Sequence, residues 1–175
     1  MERYKQKEKA FSLVELVIVI VILGIIAAIA IPRISSGSRN AGESALRANL
    51  ASLRNAIDWY YGEHNNIFPG AKTDGMNGAD TQDAFINQLT LYSNANGQVS
   101  QDLDAAYPYG PYLRTWPACP VSPNAGKVTV TVVNQPTVLA ATPGNGNGWV
   151  YNTATGQIIV NSNDTGKDGE VYCTY

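Results

Sequence analysis

Of the residues able to do chemistry, Glu15 stands apart as the one ionisable side chain in the run from Phe11 to Ile31. A carboxylate inside a membrane span costs about 2.5–3.5 kcal/mol on insertion scales, less near the interface. Such a group is tolerated where a countercharge reaches it; the plainer alternative is snorkelling to the interface. The other reactive types are sparse. His64 is the sole histidine, in the polar stretch Gly62–Asn66, and reads as a surface residue. With Cys119 and Cys173 as the two cysteines, the common zinc spacings are out of reach. There is no G-x-S-x-G elbow and no P-loop, and Gly144–Gly148 lacks the basic residue and following helix of a phosphate cradle. No enzyme is expected.

Two sets remain in the second half of the chain. Asn161, Asn163, Asp164, Asp168 and Glu170 crowd a glycine-containing loop. Calcium takes 6–8 oxygen ligands and would suit them, although the spacing is not that of an EF-hand. The same residue types form turns, so a solvated turn is the competing reading. Cys119 and Cys173 lie 54 positions apart. A bridge closing that loop would contribute about 4 kcal/mol in the chain-entropy model; two separate buried thiols are the alternative.

The elements that carry these residues follow from composition. Charged residues are 15% of the 175, against roughly 25% in a typical soluble domain, which disfavours an ordinary cytosolic globule. A pI near 5.3 disfavours bulk phosphate binding, and no nucleic acid partner is expected. Arg3, Lys5, Lys7 and Lys9, against Glu2 and Glu8, precede the apolar run. As a helix its 21 residues span about 31 Å, enough to cross a hydrocarbon core of about 30 Å. The basic flank favours a cytoplasmic amino end.

Three mechanisms fit a basic stub before such a run. A secretory signal peptide would be cut after Ala28-Ile29-Ala30, but its apolar region is usually about 7–15 residues and carries no carboxylate. A simple signal anchor explains the hydrophobicity and leaves Glu15 without purpose. The third rests on a resemblance. Ala10-Phe11-Ser12-Leu13-Val14-Glu15, the apolar run, Gly24 and Pro32 resemble the processing segment of type IV prepilins and type II secretion pseudopilins.

That resemblance implies cleavage between Ala10 and Phe11 by a prepilin peptidase, although the usual residue before the cut is glycine. It implies N-methylation of Phe11, and assembly through Glu15, Gly24 and Pro32. Removing residues 1–10 takes the formal charge from −2 to −4 and frees one ammonium. In a helical homopolymer Glu15 of one subunit would pair with that ammonium on a neighbour, setting register as buried polar groups do in coiled coils. Gly24 marks either close helix approach or local melting. Other pseudopilins or pilins and an inner-membrane assembly platform are the further implied partners. The implied place is the bacterial inner membrane, single-pass, with the head periplasmic, and then a pseudopilus or pilus. Major pseudopilins often hold calcium in the corresponding loop, and many pilins carry a bridge near their carboxyl end.

Beyond Pro32 the pattern turns amphipathic. Leu46, Leu50, Leu53, Ile57 and Tyr60 form one helical stripe, with Arg39, Glu43, Arg47, Arg54 and Asp58 mostly off it. Pro32 should kink the helix, Ser35-Ser36-Gly37-Ser38 should loosen it, and Gly62 and Pro69 mark its stop. Ala84–Leu89 reads as a short helix, and Gly110–Pro117 as an extended strap over a sheet edge. Lys127–Val133, Pro136–Ala140, Trp149–Tyr151, Ile158–Val160 and Glu170–Thr174 read as strands. The expected fold is α+β: a long N-terminal helix, transmembrane then amphipathic, packed on a small antiparallel sheet head.

The expected segments are a leader (1–10), an assembly helix (11–32), an amphipathic half (33–62), a loop-rich connection (63–126) and a sheet with its final loop (127–175). The function expected is a structural subunit of a type II secretion pseudopilus driving protein export. A type IV pilus subunit for adhesion, motility or DNA uptake is one alternative, and a non-polymerising anchored binding ectodomain the other.

Overall fold

The computed structural model describes residues 12–175, except the side chains of residues 29–36 and 38. The expected cut at Ala10–Phe11 and methylation of Phe11 lie outside the described residues, as does the side chain of Pro32. The chain divides into two units, Met1–Arg39 and Asn40–Tyr175.

Helix α1, Leu13–Glu63, contributes to both units. It runs unbroken past Pro32 and the serine-rich stretch where the sequence suggested loosening. In the second unit its stripe is buried as the spacing requires: Leu46, Leu50, Leu53, Ile57 and Tyr60 are all at most 2% exposed. The helix passes Gly62 and ends one residue later. Asn65 and Asn66 then adopt left-handed φ values of 56° and 59°, and the Asn66 N–H donates to the Tyr61 carbonyl at 3.1 Å. Asparagine tolerates that conformation better than most residues, so it takes the role glycine usually has.

Helix α2, Gln82–Thr90, starts at Thr81, whose hydroxyl accepts the Ala84 N–H. It buries Ala84, Phe85, Gln88 and Leu89. Gln88 is a polar pin: its Oε1 accepts the Gly70 N–H at 2.7 Å and its Nε2 donates to the Gly97 carbonyl at 2.8 Å. A two-stranded ribbon follows, β1 (Tyr92–Ser93) antiparallel to β2 (Val99–Ser100). The head sheet has three strands in the order β3 (Val130–Val133), β4 (Trp149–Asn152), β5 (Ile158–Val160). Strands β4 and β5 form the antiparallel hairpin, Tyr151 facing Ile158. Strand β3 lies parallel to β4, Val130 opposite Trp149, so the α+β head carries a mixed sheet.

Two expected strands are absent. Residues 136–140 form no ladder. Pro136 has no N–H to give, and side-chain amides fasten the segment instead: Asn152 Nδ2 donates to the Gln135 and Thr137 carbonyls, and the Leu139 N–H to Gln157 Oε1. Residues 170–174 curl into a 3-10 turn, Tyr172–Thr174, after a single bridge between Thr165 and Val171. The strand expected from Lys127 begins only at Val130, because the Lys127 carbonyl is taken by the Cys119 N–H at 2.8 Å. A Cβ on Gly148 would sit 2.5 Å from that carbonyl, so only glycine lets β4 start there.

The strap 110–117 ties these parts together. The N–H groups of Tyr112 and Leu113 donate to the Leu89 carbonyl at the end of α2. Trp116 Nε1 donates to the Val128 carbonyl, and Trp149 Nε1 to that of Pro117. Phe85 stacks on Tyr151 at 3.7 Å and meets Trp116 edge-on at 5.3 Å, closing the core between helix and sheet.

His64, expected at the surface, is instead 1% exposed. Its ring lies flat on Tyr60 at 3.7 Å, with Nδ1 2.9 Å from the Tyr60 carbonyl and Nε2 3.0 Å from Ser93 Oγ. It therefore joins the end of α1 to β1. Burial lowers its pKa, opposed by the Tyr60 carbonyl and the charge of Glu63. The folded chain then binds fewer protons than the unfolded chain, whose histidine titrates near 6.5. Stability should fall as pH drops below about 6.5. Urea melts at pH 7.5 and 5.5 should show this loss, and His64→Gln should flatten it.

Candidate assembly site

From Leu13 to Ile26, α1 is apolar around its circumference. Its large side chains range from 43% exposed at Val17 to 78% at Leu13. An amphipathic surface helix hides one stripe; a helix apolar all round needs cover on every side. Fully burying one such side chain is worth about 1.5–3 kcal/mol. Twelve of them, each roughly half exposed, leave on the order of 10–20 kcal/mol unclaimed. That rivals the whole stability of a typical domain, about 5–15 kcal/mol. Glu15 sits in the first turn and is exposed. A carboxylate there is favoured by the helix dipole, which carries partial positive charge at this end. Gly24 has nothing within 4 Å of where a Cβ would stand, so no contact among the described residues requires glycine there.

Among the described residues no helix is long and apolar enough to cross a membrane. The described apolar side chains end at Ala28; the sixteen residues from Leu13 would span about 24 Å as helix, short of a hydrocarbon core of about 30 Å. In the sequence the run continues to Ile31.

The prokaryotic N-terminal methylation motif matches residues 5–31. The chain carries this motif in its N-terminal segment. It is 33% identical over 86 residues to type II secretion system core protein G of Aeromonas hydrophila, a match covering 49% of this chain and 54% of that one. It is 26% identical over 115 residues to core protein G of Klebsiella pneumoniae, covering 66% and 70% respectively. It is also 31% identical over 106 residues to the type IV major fimbrial protein FimA of Dichelobacter nodosus, covering 59% of each. The chain spans about half the length of the Aeromonas relative. No solved structure matches it.

The expected disulfide is not formed. Both cysteines are free, Cys119 buried and Cys173 half-buried. The Cys119 thiol donates to the Val121 carbonyl at 3.4 Å, and that of Cys173 faces Asn163 Oδ1 at 3.8 Å. Each sulfur thus has its own acceptor. Burial pushes the Cys119 thiol pKa up.

The five oxygen-rich residues do not converge on a cation site either. Among the described residues no group of three or more His, Cys, Asp or Glu is placed to hold a metal ion. Asn161 is fully buried and turned into an amide network. Its Oδ1 accepts the Thr142 N–H at 2.6 Å, and its Nδ2 lies within 2.8 Å of Asn145 Oδ1 and of the Asn147 carbonyl. Asn163 faces Cys173, and Asp164 gives its main-chain oxygen to the Tyr172 N–H. Asp168 reaches Arg47 on α1, and the main-chain oxygen of Glu170 accepts the Gly166 N–H. All five are thus engaged by protein groups of the head.

The residues that sequence reasoning passed over are Arg47, Arg54 and Tyr175, which hold this loop to α1. Their signal was faint, since the two arginines read only as polar positions off the stripe. Asn161→Ala should strand the Thr142 N–H and cost about 1–3 kcal/mol. A urea midpoint lowered at unchanged slope, with calcium giving no rescue, is the expected result.

Proposed function

We propose that this chain is a structural subunit of a type II secretion pseudopilus, polymerising through its N-terminal helix. The observation that carries the reading is Glu15, a lone carboxylate in an exposed, all-round apolar helix that falls within the methylation motif. In this reading a prepilin peptidase removes residues 1–10 on the cytoplasmic side and Phe11 is N-methylated. Residues 11–32 hold the subunit in the inner membrane as a single pass, with the head in the periplasm. Lipid covers the run before assembly. The same segment of other subunits covers it afterwards, and Glu15 meets the Phe11 ammonium of a neighbour. Pairing lowers the cost of a buried charge. Residues 33–62 carry the head, whose own packing is independent of the filament. Other pseudopilins and an inner-membrane platform are the partners, and the chain has no catalytic task.

The fimbrial relative favours a second reading, a type IV pilus subunit built by the same helix chemistry. Loss of protein secretion on deletion supports the first reading, and loss of surface fibres with secretion intact supports the second.

Mass spectrometry of the membrane-extracted protein tests the shared premise. N-methyl-phenylalanine at residue 11 is expected. An intact Met1 in cells with an active prepilin peptidase, or a start at Ile31, overturns it. Glu15→Ala should insert normally yet lower filament yield about tenfold or more, since stranding one member of a buried ion pair costs about 3–5 kcal/mol. Wild-type yield from that variant rejects the pairing.

A further inference from the structure

The loop that the sequence offered to calcium already has a cation, and it is a side chain. Arg47 Nη2 lies 2.5 Å from Asp168 Oδ2 and 3.2 Å from Glu43 Oε1. The guanidinium carbon stands 3.8 Å over the Tyr175 ring. The Tyr175 hydroxyl sits between the two carboxylates, 2.9 Å from Asp168 Oδ1 and 3.1 Å from Glu43 Oε1. Main-chain donors complete each carboxylate: the Lys167 N–H reaches Glu43 Oε2 at 2.9 Å, and the Glu170 N–H reaches Asp168 Oδ1 at 3.0 Å. One helical turn pair further along, Arg54 Nη1 donates to the main-chain oxygen of Tyr175 at 2.8 Å.

We propose that residues 164–175 are fastened to α1 by an arginine-centred clamp of Arg47, Glu43, Asp168 and Tyr175 that takes the place of a divalent cation. A metal ion approaching Asp168 would meet the positive guanidinium at hydrogen-bond distance, and like charges repel. Asn161, the deepest of the candidate ligands, has spent its amide on the loop 142–147. Arg47 Nη2 alone reaches both Glu43 on the helix and Asp168 on the loop, while the planar guanidinium lies over the Tyr175 ring, a stacking that lysine does not supply. The Tyr175 hydroxyl holds the Asp168 pKa down, and the Lys167 N–H does the same for Glu43. Both carboxylates therefore stay charged through neutral pH. Arg47 and Asp168 are about half exposed, at 50% and 42%, so salt should loosen the clamp.

The inference does not depend on the filament reading, and it is tested on the full chain in detergent by hydrogen exchange of residues 164–175. Exchange there should be the same in millimolar calcium chloride and in chelator. Arg47→Gln should speed it about threefold to fivefold, as should molar sodium chloride in the unaltered protein. If Arg47→Gln fails to fold, Asp168→Asn keeps the loop's turn and should show the same acceleration. Slower exchange with calcium in the unaltered protein overturns the proposal, and so does unchanged exchange in the variant that folds.

Discussion

A helix that is apolar on every side governs this molecule. The residues of α1 from Leu13 to Ile26 have no partner among the described residues of their own unit, and their exposure leaves a free-energy deficit comparable with the stability of a folded domain. Such a surface must be covered by something outside the subunit. A single carboxylate in that surface narrows what can do so, because the cover must also bring a positive charge or let the acid reach water. The proposed filament meets both demands with copies of the same chain, each exchanging an ammonium for a neighbour's glutamate.

The second unit solves the opposite problem, burying everything it needs within itself. The leucine stripe of α1 supplies one wall and the residues of β4 and β5 the other, with Phe85, Trp116 and Tyr151 filling the middle. Where regular hydrogen bonding stops, side-chain amides take over. Gln88, Asn152 and Asn161 each bind two or more main-chain groups of neighbouring loops. A head built with so little regular sheet keeps its loops ordered through these buried amides, which satisfy backbone groups that would otherwise be costly to bury.

Much of this was legible in the residues themselves. The period of the leucines set which face of α1 is buried, and hydrophobic period is a local property that survives folding unchanged. The apolar run, Glu15 and the flanking basic residues were likewise plain, because lipid compatibility depends on composition over a continuous segment rather than on distant contacts. The hairpin of β4 and β5 was marked by two short apolar runs around a glycine-containing turn, and α2 by its apolar spacing.

Only the tertiary structure decided the rest, mostly through partners far away in sequence. His64 looked polar and local, but Tyr60 and Ser93 close over it. Residues 136–140 and 170–174 had strand-like composition, yet neither joins the sheet: the Asn152 and Gln157 side chains fasten the first, and the second hydrogen-bonds within its own loop. The parallel placement of β3 against β4 depends on how the intervening chain crosses, which strand pattern does not encode. The acidic loop had the residue types of a cation site, and Arg47, more than a hundred positions earlier, determines that its charge is met by protein. Composition and period specify what a segment can do; which of its options is realised depends on which distant group arrives first at hydrogen-bond or ion-pair distance, and only the fold sets that.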